Sequence, residues 1–144
     1  MRRIAMTVIG LLAAGAAAAV LTAGTAQALG TDVTRLGSVH LTRTDAAGNT
    51  TSADLSCTAV QSGAGLTVTG TGTVAAPTAA CNELAGVNGD FAKLLVHPTW
   101  LPTVQEAPVT AAAQGNWGAT AVTWSHTYAN GSALTKYTGD VFGF

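Results

Sequence analysis

The sequence predicts an α+β fold in a single small domain. Threonine recurs at alternate positions in several short runs, a pattern that favours half-exposed strands. One segment after Pro77 instead has its apolar residues at helical spacing. No internal repeat or low-complexity linker divides the chain. We therefore expect strands and short helices around one core.

The first 28 residues have the pattern of an export signal. Residues 1–3 are Met-Arg-Arg, residues 4–21 are almost entirely apolar, and Ala26-Gln27-Ala28 supplies the small residues that a signal peptidase reads. Removing 28 of the 144 residues leaves 116, enough for one core. No other run reaches the ~18 apolar residues that a membrane span requires. We expect residues 1–28 to be a signal peptide, residues 29–144 to be the secreted, extracellular domain, and no membrane contact after cleavage; the alternative is an uncleaved anchor.

Charged side chains are scarce in residues 29–144. Four lysines and arginines stand against seven aspartates and glutamates, a net charge of −3. Nucleic-acid binding depends on clustered basic residues that displace counterions from phosphates. The sequence has no such cluster, which excludes a nucleic-acid partner.

The first half of the domain predicts a hairpin followed by a helix. Residues 38–44 and 52–59 alternate as strands around a turn at 45–49. Residues 66–74 fit either a further short hairpin or a mobile segment. A helix is predicted from Pro77 to Val87, ended by Asn88-Gly89, and Asp90 is placed to cap a short turn through residues 91–94.

The second half predicts a proline-rich loop, a hairpin and a short helix. Residues 97–108 contain three prolines and no helical period, which indicates an extended, ordered loop. The remaining predicted elements are a strand at 109–113, a turn at Gln114-Gly115-Asn116, a strand from Trp117 to Tyr128, a helix at 132–137 and a closing strand at 140–144. Val122, Trp124, His126 and Tyr128 share one face of the long strand.

Two cysteines, Cys57 and Cys81, lie in the predicted exported region. Two thiols in one small secreted domain usually pair. The pair would tie the helix to the second strand and close a loop worth about 3 kcal/mol of unfolded-chain entropy. The alternative is two separate buried thiols.

No motif assembles catalytic groups. The sequence lacks a G-x-S-x-G elbow, an H-E-x-x-H motif, a glycine-rich phosphate loop and a close carboxylate pair. His40, His97 and His126 have no cysteine or carboxylate at ligand spacing beside them. We expect no enzymatic activity, no cofactor and no metal, with His126 in a core or interface and His40 in solvent.

The proline-bracketed loop is the most informative segment. An extended, ordered segment between a helical region and a strand is the geometry with which a protein presents a strand to another protein's cleft. The alternative is a crossover connection stiffened by prolines for stability alone.

The stretch from Cys81 to Phe144 resembles the secreted subtilisin-inhibitor-like family of actinobacteria. The resemblance is carried by Leu55-x-Cys57, Pro77, Ala79-Ala80-Cys81, Leu84, Val87, Gly89-Asp90, Pro108-Val109, Trp117, Val122, Asn130 and the ending Val141-Phe142-Gly143-Phe144. It implies a five-stranded antiparallel sheet with two short helices, usually assembled as a homodimer through the sheet.

The resemblance also implies a substrate-like loop that inhibits subtilisin-like serine endopeptidases. By position, the reactive bond is Val104–Gln105, and Val104 would enter the primary specificity pocket. The protease-contacting residues would be Leu101, Pro102 and Thr103, pairing as an added strand, and Glu106 on the leaving side. The pocket would be shallow and elastase-like, because Val104 is small and β-branched.

The sequence departs from the family at this loop. Members usually have a second disulfide between the positions occupied by Pro102 and Ser132 in this chain. We therefore expect a looser loop and weaker inhibition, which the fixed φ of Pro102 would partly offset. The alternative function is a secreted binding or scaffold module that keeps the fold without inhibiting. The segment between Cys57 and Cys81 is longer than the family norm and has no functional explanation in the sequence.

Overall fold

In the computed structural model, residues 31–144 are described. The predicted signal peptide, residues 1–28, lies outside this range. Five strands and two helices follow in the order β1 (Asp32–Thr44), β2 (Thr50–Ser62), β3 (Gly65–Gly72), α1 (Pro77–Gly86), β4 (Val109–Trp117), β5 (Thr120–Tyr128) and α2 (Gly131–Thr138), with a 3₁₀ turn at Phe91–Lys93. None of the helices in this range has the length and apolar character needed to cross a membrane.

The five strands form one antiparallel sheet in the order β3-β2-β1-β4-β5. Hairpins connect β1 to β2, β2 to β3 and β4 to β5, whereas the chain leaves β3 at one edge and returns at β4 beside β1. This long connection contains α1, the 3₁₀ turn and the proline-rich loop. The α+β class with a five-stranded sheet and two short helices is confirmed, and the topology places the loop directly before β4.

The core lies on the sheet face that the helices cover. Leu41 of β1 pairs with Ala53 of β2 on one side and Ala113 of β4 on the other, and all three are buried. Small residues on β4 leave room for larger apolar groups above the sheet, among them Leu84 of α1 and Phe142 of the C-terminal segment. The alternate positions form an outer face of serine and threonine that explains the period-two pattern.

The disulfide is formed between Cys57 and Cys81. Their Cα atoms are 5.4 Å apart and both residues are buried, so α1 is tied to β2 as predicted. The pairing excludes two separate thiols. Next to it, a Cβ on Gly70 of β3 would collide with the Cys81 Sγ and the Pro77 carbonyl, so the glycine lets α1 lie close against this edge of the sheet.

The predicted turn at 114–116 is wrong. Gly115 lies inside β4, where a Cβ would collide with the Ser38 carbonyl of β1, and its glycine serves this close approach. The turn lies at Gly118-Ala119, and Gly118 adopts φ of 56°, which favours glycine. The triplet Gln114-Gly115-Asn116 has the composition of a turn, but it is part of a strand whose glycine is required by close packing against β1.

Three other boundaries also differ from the sequence interpretation. The predicted closing strand at 140–144 is not a strand; it is a turn followed by irregular chain that buries Val141 and Phe142. Residues 65–72 form one continuous edge strand, β3, which pairs with β2 along its whole length, so this segment is neither the short hairpin nor the mobile segment expected. β1 begins at Asp32, before the alternating residues start, because it follows β2 along the whole length of the hairpin.

Candidate functional site

The candidate site is the proline-rich loop, residues 97–108, which we call the reactive loop. It is irregular in backbone structure and lies over α2, between the 3₁₀ turn and β4. Val104 is 100% exposed and Leu101 is 92% exposed. Two apolar side chains so free of contact within the same molecule are available to a partner.

The first attachment of this segment is to the C-terminal half of α2. The Val96 N–H donates to the Tyr137 carbonyl at 3.2 Å, and the His97 N–H donates to the Lys136 carbonyl at 2.9 Å. Carbonyls in the last turn of a helix have no partner within the helix. The loop therefore starts from a fixed point and also satisfies two of these carbonyl groups.

The central attachment is the side chain of Asn130, which is 5% exposed at the start of α2. Its Nδ2 donates to the Thr103 carbonyl at 2.8 Å and to the Gln105 carbonyl at 2.7 Å. Its Oδ1 accepts from the Ala133 N–H at 2.8 Å and caps the helix. One buried amide thus fixes the carbonyls on both sides of Val104.

The orientation of the Asn130 amide is determined by its three partners. Two carbonyls require the NH₂ group, and one N–H requires the oxygen. Exchanging oxygen and nitrogen would remove all three hydrogen bonds at once. The amide is therefore satisfied only when the loop and the helix are both in place.

Ser132 provides a further attachment at the position where the family resemblance implies a cysteine. Its Oγ accepts a hydrogen bond from the Thr103 N–H at 3.2 Å. The partner is the residue after Pro102, since proline has no N–H to donate. Such a hydrogen bond contributes about 1 kcal/mol, against the roughly 2–4 kcal/mol typical of a disulfide. The loop and α2 remain joined at this place by a weaker link.

The last attachment follows the predicted reactive bond. The Ala107 N–H donates to the Ala129 carbonyl at 3.0 Å, and Val109 then pairs with Tyr128 as β4 begins. All the attachments of the loop described above are thus made to one continuous segment, residues 129–137. Gln105 and Glu106 lie exposed between Val104 and this anchor.

Titratable groups do not converge at the loop. His40 lies on the outer face of the sheet, 2.8 Å from Asp54, and both are exposed. His126 is exposed, which excludes the core and leaves the expected interface position a prediction; its ring contacts Tyr128 with centroids 4.6 Å apart. Within residues 31–144, no three histidine, cysteine or acidic side chains are grouped to hold a metal ion.

The sequence did not indicate the contribution of Asn130 to this site. An asparagine before a helix predicts an N-cap, and that part is visible in the sequence. Its other two partners are main-chain carbonyls 25 and 27 residues away. Main-chain acceptors leave no trace in side-chain identity, so only the folded chain reveals this contact.

Comparisons with known proteins agree with this architecture. The profile of the family described as "Subtilisin inhibitor-like" matches residues 38–130. A "Putative serine protease inhibitor" of Streptomyces avermitilis is 40% identical over 63 residues, which are 44% of this chain and 42% of that protein. "Subtilisin inhibitor-like protein 4" of Streptomyces lavendulae is 38% identical over 77 residues, 53% of this chain and 66% of the relative. The matches thus span between about two fifths and two thirds of these relatives.

A solved structure has the same fold over most of the chain. It is Streptomyces caespitosus sermetstatin, crystallised in complex with Bacillus licheniformis subtilisin. The TM-score is 0.51 at 26% sequence identity, covering 75% of this chain and 98% of sermetstatin. The family profile extends over more than half of the sequence and includes part of β1, the other four strands, α1, the reactive loop and Asn130, so this protein belongs to the subtilisin inhibitor-like family.

Proposed function

We propose that this protein is a secreted inhibitor of subtilisin-like serine endopeptidases, with Val104–Gln105 as the reactive bond. The observation that carries the proposal is the contrast at this bond. The Val104 side chain is fully exposed, while the carbonyls of the residues on either side are held by the buried Asn130. A protease can reach the bond, but the chain around it resists distortion.

Inhibition follows from the fate of the acyl-enzyme. The protease serine attacks the Val104 carbonyl carbon, and the Gln105 nitrogen leaves with a proton. Since Asn130 binds the Gln105 carbonyl and Ala129 binds the Ala107 N–H, the new amine is held close to the ester. It can attack the ester and restore the peptide bond before water does, and the intact loop stays bound.

The target protease has a shallow primary pocket in this proposal. Val104 is small and branched at Cβ, so it fills less of a deep pocket than leucine or methionine does. Leu101, Pro102 and Thr103 bind as an extended strand along the enzyme's cleft, and Glu106 lies on the leaving side. The 92% exposure of Leu101 leaves its side chain available for such a contact.

The proposal includes export. Residues 1–28 act as the signal peptide and residues 29–144 form the mature inhibitor. The formed Cys57–Cys81 disulfide supports this assignment, because such bonds persist in oxidising compartments. Mass spectrometry of the protein from a secreting host should give an N-terminus at Leu29.

We also propose a homodimer through the outer face of the sheet. This face presents serine and threonine on all five strands, and the exposed Val33 adds an apolar group near one end. Few charges oppose the close approach of a second copy. Sedimentation at micromolar concentration should give a dimer; a monomer would contradict this part of the proposal.

Titration of purified proteases tests the inhibitor function directly. Subtilisin and an elastase-like protease are each titrated with the mature protein, and the intact and cleaved chains are followed by mass spectrometry. Stoichiometric, slowly reversed inhibition is expected. The matched control is Val104→Pro, which changes an exposed residue and should abolish inhibition.

A second function is favoured by one observation, the lost second disulfide. A loop with a hydrogen bond in its place could be cleaved as an ordinary substrate, and the protein would then act only as a binding or scaffold module. Rapid cleavage after Val104 without a stable complex in the titration would exclude inhibition and so favour this alternative.

A further inference from the structure

The reactive loop begins with a tight turn formed by residues 97–100. The Trp100 N–H donates to the His97 carbonyl at 3.1 Å. Pro98 occupies the second position of the turn, where its fixed φ is favourable. The rings of His97 and Trp100 are stacked, with centroids 3.7 Å apart and an interplanar angle of 7°. The first and fourth residues of the turn are thus joined twice, by main chain and by side chains.

This turn is attached to α2 through the residue that begins it. The His97 N–H donates to the Lys136 carbonyl at 2.9 Å, so the backbone of His97 is fixed relative to the helix. Through its hydrogen bond and ring contact with His97, Trp100 is attached to the helix as well, and it lies immediately before Leu101. The next attachment along the chain is the Thr103 N–H to Ser132. The stacked pair therefore limits the movement of the exposed arm that leads to Val104.

Trp100 could instead be a direct contact for a protease, since it is 50% exposed. One face of its indole is covered by His97, which leaves the opposite face and an edge accessible. A side chain already stacked in the free protein loses little freedom on binding, but it also constrains its own backbone whether or not a partner is present. This constraint distinguishes the two roles experimentally.

We propose that His97 and Trp100 are positioning residues that hold the N-terminal arm of the reactive loop and so slow hydrolysis of the Val104–Gln105 bond within the protease complex. They act on the side where the second disulfide is missing. The inference rests on the proposed inhibitory function. In the acyl-enzyme, the Val104 ester is carried by this arm, and the Gln105 amine is carried by the other.

The position of the arm affects which of two competing reactions the Val104 ester undergoes. Attack by the Gln105 amine restores the peptide bond and returns a proton to the protease serine. Attack by water releases the serine and leaves a carboxylate on Val104. The first reaction needs the ester and the amine to stay aligned. A mobile arm misaligns them, and water then competes more effectively.

The test separates association with the protease from hydrolysis. Trp100→Ala and His97→Ala are compared with Trp100→Phe and His97→Phe, which keep two stacked rings, all in the full chain from a secreting host. Each alanine variant should raise the cleavage rate in the complex about five- to tenfold. Association rates should change less than about twofold, because in this proposal the two side chains do not contact the protease.

The double alanine variant provides a further check. If the two residues act through the same contact, the double variant should hydrolyse no faster than the faster single variant. Slower association with unchanged hydrolysis in Trp100→Ala would show a direct protease contact and would overturn the inference. Failure of the phenylalanine variants to restore slow hydrolysis would also overturn it.

Hydrogen exchange of the free protein distinguishes this inference from the inhibitor function. The Trp100 and Thr103 amides should exchange faster in His97→Ala than in the wild-type protein, with no protease present. Unchanged exchange would overturn the positioning role even in a good inhibitor. If the wild-type protein inhibits no protease, the proposed function fails, and faster exchange would still support the ordering of the arm by this pair.

Discussion

Asn130 and Gln105 are joined by a 2.7 Å hydrogen bond from the Asn130 Nδ2 to the Gln105 carbonyl. The bond connects a buried residue at the start of α2 with the exposed residue on the leaving side of the predicted reactive bond. The same nitrogen also donates to the Thr103 carbonyl, while the amide oxygen caps the helix. Stability of α2 and rigidity of the loop therefore depend on one side chain.

Asn130→Asp should separate these two roles. A carboxylate can still accept from the Ala133 N–H and cap α2, but it cannot donate to the Thr103 and Gln105 carbonyls. We expect faster cleavage in the protease complex, and also a loss of stability, because the second carboxylate oxygen is buried facing two carbonyl oxygens. Asn130→Ala removes the cap as well and should lower the free energy of unfolding by about 1–3 kcal/mol. Denaturant unfolding and mass spectrometry of the complex measure the two effects; equal cleavage rates for the Asn130→Asp variant and the wild-type protein would contradict the assignment.

Val104→Leu should strengthen binding to a subtilisin with a deep primary pocket. The added methylene contributes about 0.8 kcal/mol when buried, which corresponds to roughly fourfold in the inhibition constant. Binding to an elastase-like protease should weaken, because the larger side chain no longer fits. Since Val104 is fully exposed in the free protein, the unfolding midpoint should not change, and it serves as the control. The same change of affinity for both proteases would contradict the predicted pocket.

Introducing the second disulfide should make the reactive loop more resistant to hydrolysis by the protease. Pro102→Cys with Ser132→Cys places thiols at the two positions where the family resemblance implies a bridge, and the Thr103 N–H already lies 3.2 Å from the Ser132 Oγ. We expect slower hydrolysis of Val104–Gln105 in the oxidised protein. The reduced double variant is the matched control, since it has the same sequence without the bond. Equal hydrolysis of both forms would show that the loop needs no further constraint.

Glu83 should make stability depend on pH. Its pKa is raised to about 7, mainly because burial disfavours the charged form; the Asp140 N–H, at 2.9 Å from Oε2, acts in the opposite direction. Its ordinary value is 4.5, so the folded protein holds a proton that the unfolded chain releases between these two pH values. The contribution to stability is therefore largest below about pH 4.5 and is lost as the pH rises through 7.

Glu83→Gln tests this dependence. Glutamine can still accept from the Asp140 N–H but cannot ionise. Urea unfolding at about pH 5 and about pH 8 should show a larger loss of stability at the higher pH for the wild-type protein than for the variant. Identical pH profiles would show that the carboxyl group does not titrate in this range.

The sequence predicted the fold where local chemistry determines it. Alternating threonines marked the strands, and Pro77 and Asn88-Gly89 marked the ends of the α1 region. The sequence interpretation was wrong where contacts between residues distant in sequence determine the local structure. Gly115 looks like a turn residue, but it lies in β4 because of its close approach to Ser38, and residues 140–144 pack their apolar side chains without forming a strand.

The site was predicted to a similar degree. Val104 and Leu101 lie exposed in the proline-rich loop, and their roles in contacting a protease stay predictions. The attachments by Asn130 and Ser132 were not predicted, because their partners are main-chain groups brought close only by folding. The prolines therefore predicted an extended loop, but the sequence did not predict the hydrogen bonds that fix it to α2.

The attachment of the reactive loop to residues 129–137 affects what a cut in it would change. Cutting a peptide bond usually lowers the stability of a folded protein, because the new chain ends gain conformational freedom. In this protein both ends would still be hydrogen-bonded to the same helix region, so little freedom is gained. We expect a nicked chain to keep its shape, to melt as one cooperative unit, and to be resealed by the enzyme that cut it.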